Sequence, residues 1–288
     1  MKAPSMKLAV SNIAFAPEDR LAAYAMLRRR GIEGLEIAPG LLFADARDPF
    51  APSDAECAEA LAPIADAGLQ LVSMQSLLFG VQGAELFGDA DARARFRDGM
   101  ERAIALAGRL AIPAIVFGSP RQRIVPDDMA MADALDRARA EFAHLGAAAA
   151  SAGTCILIEA NPAAYGTNFL NSIDQAAAFV ARVDHPGIGL ILDVGSLHLN
   201  AEFDRIDTIA SRHAAAIRHV HVSEPDLAPA PASVDHGRRI FGALRAIGYD
   251  RWVSIEMVRP ATASMEQLDA AVARLVDAHA DAIGEWNR

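Results

Sequence analysis

Four side chains able to bind a cation or move a proton stand at the ends of apolar runs in this 288-residue chain. Glu159 closes ILIE, Asp193 closes LILD, His221 lies in RHVHV and Glu256 closes VSIE, at spacings of 34, 28 and 35 residues. Each run is short, aliphatic and rich in β-branched residues, so each reads as a buried strand. One carboxylate at such an end is most simply a salt-bridge or capping partner. Four polar endings at one level are a different matter, because clustered like charges repel without a cation among them. Oxygen-rich donors favour Mn²⁺ or Mg²⁺, with Co²⁺ or Zn²⁺ as alternatives, over a thiolate-type zinc site. Glu159, Asp193, His221 and Glu256 are therefore the candidate metal ligands. A dication there would polarise a substrate carbonyl and stabilise the enediolate formed when the neighbouring carbon loses its proton. Glu159 and Glu256 are the candidate catalytic pair, one taking the proton and the other returning one. The chemistry expected is isomerisation or epimerisation.

Strands and helices must alternate to hold these groups at one level. Eight strand-like runs are legible at 7–10, 34–38, 69–75, 114–118, 155–159, 188–193, 217–222 and 251–257. Helical segments follow at 17–30, 53–68, 90–110, 126–152, 172–185, 203–216, 234–247 and 264–283. Ser53 and Ser172 stand at N-cap positions, and Gly68, Gly153 and Gly248 stand where helices stop. Eight β/α repeats predict one (β/α)₈ TIM barrel over residues 1–288, with its reactive groups at the C-terminal strand ends. An open doubly wound sheet is the alternative, but SNIAFAP after the first strand is not a glycine-rich phosphate loop.

Further residues fall near the same mouth. Glu36 and Gln75 close the second and third strands, as substrate contacts or as structural hydrogen-bond partners. Arg121 and Arg123 in GSPRQR form a pair that could grip a phosphate or carboxylate, against the commoner reading of solvated arginines. Asn161 shares a face with Glu159 and could orient it, or cap a loop. His198 is read in a loop after Asp193, as ligand, substrate contact or bystander, and Arg259 after the last strand as a substrate contact. His219 shares a face with His221 and reads as a hydrogen-bonded core histidine, and Trp252 as packing.

Composition removes other classes. A net charge of −10 speaks against a nucleic-acid surface, which needs Lys and Arg to offset phosphates. No run is long and apolar enough to span a membrane, and the opening residues carry no signal-peptide pattern. Cys57 and Cys155 make no disulfide framework and read as free thiols. A cytoplasmic enzyme is expected, its open metal positions suiting a small α-hydroxy carbonyl compound such as a carbohydrate-like molecule, with self-association left open.

SNIAF, GLEIAPG, LVSMQSLLFG, IVFGSPRQR, ILIEANP, LILDVGSLHL, HVHVSEP and YDRWVSIEM occur in an order and spacing that resemble the xylose-isomerase-like TIM-barrel superfamily, in its sugar phosphate isomerase/epimerase branch. That resemblance implies a metal held by Glu159, Asp193, His221 and Glu256, with the two glutamates as acid and base. Two positions depart from the ketose epimerases of the superfamily. Ser196 stands where they commonly carry a substrate histidine, and Leu227 where they commonly carry an arginine. The same barrel also admits a dehydroshikimate dehydratase-type lyase. It admits an endonuclease IV-like phosphodiesterase too, against which the scattered histidines and acidic charge argue, and a non-catalytic sugar sensor.

Overall fold

The computed structural model describes residues 6–259 and 265–284. Eight parallel strands hydrogen-bond in sequence order and close on themselves: β1 Lys7–Ser11, β2 Gly34–Ile37, β3 Gln70–Met74, β4 Ile115–Phe117, β5 Ile156–Ile158, β6 Ile188–Asp193, β7 Ile217–Val222 and β8 Trp252–Ile255. β8 pairs back onto β1, with Leu8 beside Val253 and Val10 beside Ile255. This is the single (β/α)₈ barrel that the repeats predict.

The helices are α1 Arg20–Arg29, α2 Pro39–Leu42, α3 Asp54–Asp66, α4 Ala90–Arg109, α5 Met131–Ser151, α6 Ile173–Val183, α7 Val194–Leu199, α8 Ile206–His213, α9 Val234–Ala246 and α10 Met265–Gly284. Their starts follow the chemistry of the first turn. Ser53 accepts from the Glu56 amide while Glu56 reaches back to the Ser53 amide, and Ser172 and Gln175 repeat this box. Three helix starts differ from the sequence reading by three or more residues. Residues 17–19 and 203–205 are 3₁₀ turns ahead of α1 and α8. α5 begins five residues after Pro126, because 126–129 closes a separate turn through the Met129 amide and the Pro126 carbonyl. α7 is a helix where the sequence predicts a loop. Its first turn is capped by Asp193 itself, whose Oδ1 accepts the Ser196 amide at 2.6 Å. Ser264, the expected start of the last helix, lies outside the described residues.

Two apolar layers result. The larger lies between strands and helices, where Phe96, Phe117, Phe142 and Phe179 meet edge-on or tilted at centroid distances of 5.0–6.4 Å. The smaller cluster is Val116, Cys155, Leu157 and Ile191. Leu157 is two residues before Glu159 and Ile191 two before Asp193, so this cluster lines the barrel interior beneath the site. Across the interior from it the lining is polar: Ser11, Glu36, Ser73, His219, His221 and Ser254 are all buried.

Candidate active site

The four ligand candidates converge. Asp193 is the last residue of β6 and His221 the second-last of β7, side by side in register. Glu159 and Glu256 each stand one residue beyond their strand, yet their amides still bond the neighbouring strand, Glu159 to the Phe117 carbonyl and Glu256 to that of Val222. The ladder therefore fixes all four backbones before any side chain is considered. The His221 Nδ1 lies 3.2 Å from Glu256 Oε2, 3.4 Å from Glu159 Oε1 and 4.0 Å from Asp193 Oδ2. One ligand atom from each of the four residues falls within 4.8 Å of the others.

Supporting contacts aim these groups. His221 Nε2 lies 2.9 Å from Glu36 Oε2, a carboxylate that also accepts from the Ser73 hydroxyl at 2.6 Å and the Gln75 amide at 2.8 Å. Glu36 accepts a hydrogen, so the proton of a neutral His221 resides on Nε2 and the Nδ1 lone pair faces the carboxylates. That Nδ1 is buried and has no hydrogen-bond partner. Asp193 Oδ2 accepts from the Ser223 hydroxyl at 2.5 Å, and Glu159 Oε2 from the Asn161 amide at 2.9 Å. A carboxylate behind the outer nitrogen of an imidazole is the usual support of a metal-binding histidine.

The electrostatics agree with that arrangement. Burial pushes the Glu256 carboxyl up to about 7, with the charges of Glu159 and Asp193 adding to the rise and His221 opposing it. Burial and then Glu159 raise Asp193. Burial alone would lower His221, but the charges of Glu36 and Glu256 hold it well above the usual imidazole range. Without a cation, the cluster thus holds protons that isolated groups would release. The donor set, the orphaned Nδ1 and this proton retention all fit a divalent ion; Glu159, Asp193, His221 and Glu256 could hold it.

Two adjoining hollows open on the cluster and share Glu159 and Glu256. One, of about 300 Å³, is lined by Gln75, Phe79, Gly118, Ser119 and Gln122 among others. The second, of about 380 Å³, is lined by Asn161, Tyr165, Asp193, Ser223, Glu224, Asp226 and Leu227 among others. Among the described residues lining either hollow there is no Lys or Arg. Gly118 has a plain reason: a Cβ there would sit 2.3 Å from Glu159 Oε2.

The outer candidates scatter. Gln75 lines the first hollow and Asn161 the second. Glu36, read as a contact for a substrate hydroxyl, is instead fully buried and committed to Ser73, Gln75 and His221. The Arg121–Arg123 pair does not form an anion grip. Arg121 is exposed, whereas Arg123 is buried and donates from Nη1 to the Glu159 carbonyl at 2.9 Å. A 3₁₀ turn over Pro120–Arg123 turns the two side chains apart. Arg259 is held by Asp19 on the outer rim. His198 rides on α7, not on a loop, and stacks on Phe203 at 4.1 Å. Ser196 donates to the Ala160 carbonyl at 2.7 Å.

Other residues of the site carried no signal in the sequence. Ser73, Ser223 and Tyr165 look like ordinary strand and loop residues, and only their partners across the barrel give them a place. Burial, followed by the charges of Asp193 and Glu256, raises the Tyr165 hydroxyl to about 12, so it remains a neutral donor at the wall of the second hollow.

Fold and cluster together define a class: a parallel (β/α)₈ barrel with a His/Asp/Glu ring at the C-terminal mouth. Residues 24–277 match the family model described as xylose isomerase-like TIM barrel, and the chain belongs to that family. No curated protein matches the sequence. Among solved structures, 3-keto-D-glucoside 4-epimerase YcjR from E. coli is similar with a TM-score of 0.72 and 20% identity, over 94% of this chain and 99% of that one. D-psicose 3-epimerase from Clostridium cellulolyticum H10, solved with D-tagatose, gives 0.71 and 18%, over 96% and 97%. An L-ribulose 3-epimerase gives 0.69 and 21%, over 98% and 94%. At these identities the likeness is one of fold.

Proposed function

We propose that this chain is a divalent-metal-dependent isomerase or epimerase of a neutral carbohydrate, acting by proton transfer beside a carbonyl. The single observation that carries this reading is the orphaned Nδ1 of His221, aimed at three carboxylates where two hollows meet. The solved neighbours support it, since the three described above are named as sugar epimerases. Mn²⁺ or Mg²⁺ suits the oxygen-rich donors best. When bound, the ion polarises the substrate carbonyl and so acidifies the adjacent C–H. The residues do the rest. Glu159 and Glu256 line both hollows, so a sugar lying across the junction has a carboxylate at each side. One takes the proton from carbon and the other returns one, on the opposite face for epimerisation. Each would use a carboxylate oxygen not committed to the ion. Asn161 holds Glu159 in position, and Gln75, Tyr165 and Ser119 offer polar atoms to sugar hydroxyls.

Neutral substrates are favoured over sugar acids and sugar phosphates. Glu159, Asp193, Glu224, Asp226 and Glu256 all face the hollows, and none of the described lining residues is a cation. One dication offsets only part of that charge, so an anionic substrate would be repelled. Leu227, at the position where related epimerases commonly carry an arginine, adds an apolar wall instead.

The test is incubation with neutral ketoses in D₂O, with and without Mn²⁺. Metal-dependent incorporation of deuterium at the carbon beside the carbonyl, without loss of water, is the expected result. Glu256→Gln and Glu159→Gln should each slow it by about 10²–10⁴. An unsaturated product would replace the isomerase by a lyase, and exchange at parent rates in both variants would remove the proposed roles.

A further inference from the structure

A second group of side chains able to bind a cation lies beside the ring and takes no part in it. His198 comes from the last turn of α7, Glu224 follows β7, and His236 sits in the first turn of α9. One ligand atom from each falls within 4.8 Å of the other two. His198 Nε2 is 3.6 Å from Glu224 Oε2, and His236 Nδ1 is 3.7 Å from Glu224 Oε1. Those separations are too long for hydrogen bonds. They are close to the edge of a ligand tetrahedron, about 3.3 Å for donors about 2.0–2.1 Å from a central zinc. Both nitrogens are buried and lack a hydrogen-bond partner. Two orphaned imidazole nitrogens facing one carboxylate would be an expensive arrangement if nothing joined them.

The surroundings preorganise the three. The His198 and His236 rings lie nearly parallel, 5.6 Å apart at 24°, and Phe203 stacks on His198 at 4.1 Å. Glu224 Oε1 accepts the Ala232 amide at 2.7 Å, which fixes the carboxylate across the proline-rich loop. Burial lowers the pKa of His198, so its ring stays neutral and keeps a lone pair for a cation.

We propose that His198, Glu224 and His236 bind a second divalent cation of the zinc class. Two imidazoles and one carboxylate suit Zn²⁺ better than Mg²⁺, and three protein ligands leave a fourth position for water. The ion would pin the loop that carries Asp226 and Leu227, and through Glu224 it would border the second hollow. It would also tie α7, whose N-terminus is capped by Asp193, to the start of α9. It would therefore brace the wall of the sugar site without contributing to the ring.

The experiment is a Co²⁺ titration of the full chain after chelator treatment, followed by visible absorption. Oxygen-rich six-coordinate Co²⁺ absorbs weakly and tetrahedral Co²⁺ strongly, so the two sites are told apart in one titration. Two equivalents are expected, one of them with the intense tetrahedral spectrum, which Zn²⁺ then bleaches. His236→Ala, at a partly exposed position, should weaken that equivalent by more than about 100-fold, beyond the loss typical of an outer support. His198→Asn should do the same, and both variants should retain the weakly absorbing equivalent, which also reports that they are folded. In Glu159→Gln the tetrahedral band should persist, so failure of the ring and failure of this site are separately visible. A parent protein without a tetrahedral band, or a band that survives both histidine substitutions, overturns the proposal.

Discussion

Replacing Glu36 by Gln tests how the barrel interior sets up the ring. In the parent, the carboxylate accepts from His221, Ser73 and Gln75 at 2.9, 2.6 and 2.8 Å. A glutamine has the same shape but one acceptor oxygen and an NH₂ group, so at least one of these donors would face another donor. The negative charge behind His221 is also lost. Removing the outer partner of a metal-binding histidine typically costs 10–100-fold in affinity, or about 1.4–2.7 kcal/mol. The pH dependence separates this cause from simple damage. Burial opposes the charged form of His221, and Glu36 is the largest influence favouring it. Without Glu36, the metal-free imidazole gives up its proton more easily. Protons then compete less with metal in the variant, so its deficit in affinity should be greatest at high pH and narrow on acidification. Calorimetric titration with Mn²⁺ at several pH values, on protein whose circular dichroism matches the parent, measures this. A Glu36→Gln affinity within twofold of the parent throughout, or a deficit that widens in acid, would refute the assigned coupling.

Other outcomes follow from the same geometry. Gly118→Ala should leave the melting temperature nearly unchanged, because the clashing Glu159 Oε2 is the end of a flexible side chain, but lower Mn²⁺ affinity by about tenfold or more as that oxygen is displaced; titration beside a thermal melt shows both. In chelated protein, Glu256 titrates near 7 against an ordinary value of 4.5, so the folded state binds the extra proton in that interval. Its contribution is complete below 4.5 and is lost as pH rises through 7, a fall of about 3 kcal/mol; denaturant melts at pH 5 and pH 8 should differ in that direction. Mn²⁺ at a hundred times its dissociation constant should add about 2.7 kcal/mol of stability at pH 8, and a melt unmoved by Mn²⁺, Mg²⁺ and Co²⁺ alike would remove the ion from the ring.

The barrel and the ring are legible in the amino-acid sequence for one reason. Strands of aliphatic and β-branched residues recur with helical segments between them, and in a parallel barrel every strand delivers its last residues to the same mouth. Glu159, Asp193, His221 and Glu256 are marked by a local contrast, a polar residue ending an apolar run, that requires no knowledge of neighbours. Glu36 stands one residue before the end of its strand, and its fate was not readable. Whether it meets substrate or a histidine depends on β7, 185 residues later in the chain. Arg121 and Arg123 are adjacent in type and spacing, yet the 3₁₀ turn exposes one and buries the other. The second histidine pair is hidden for the same reason, since His198 and His236 meet Glu224 only when α7, the loop after β7 and α9 pack together. Local pattern thus determined which residues reach the mouth of the barrel. Tertiary structure decided which of them face solvent-filled space and which are neutralised by a partner, because those outcomes depend on distances between strands that the chain brings together only on closing.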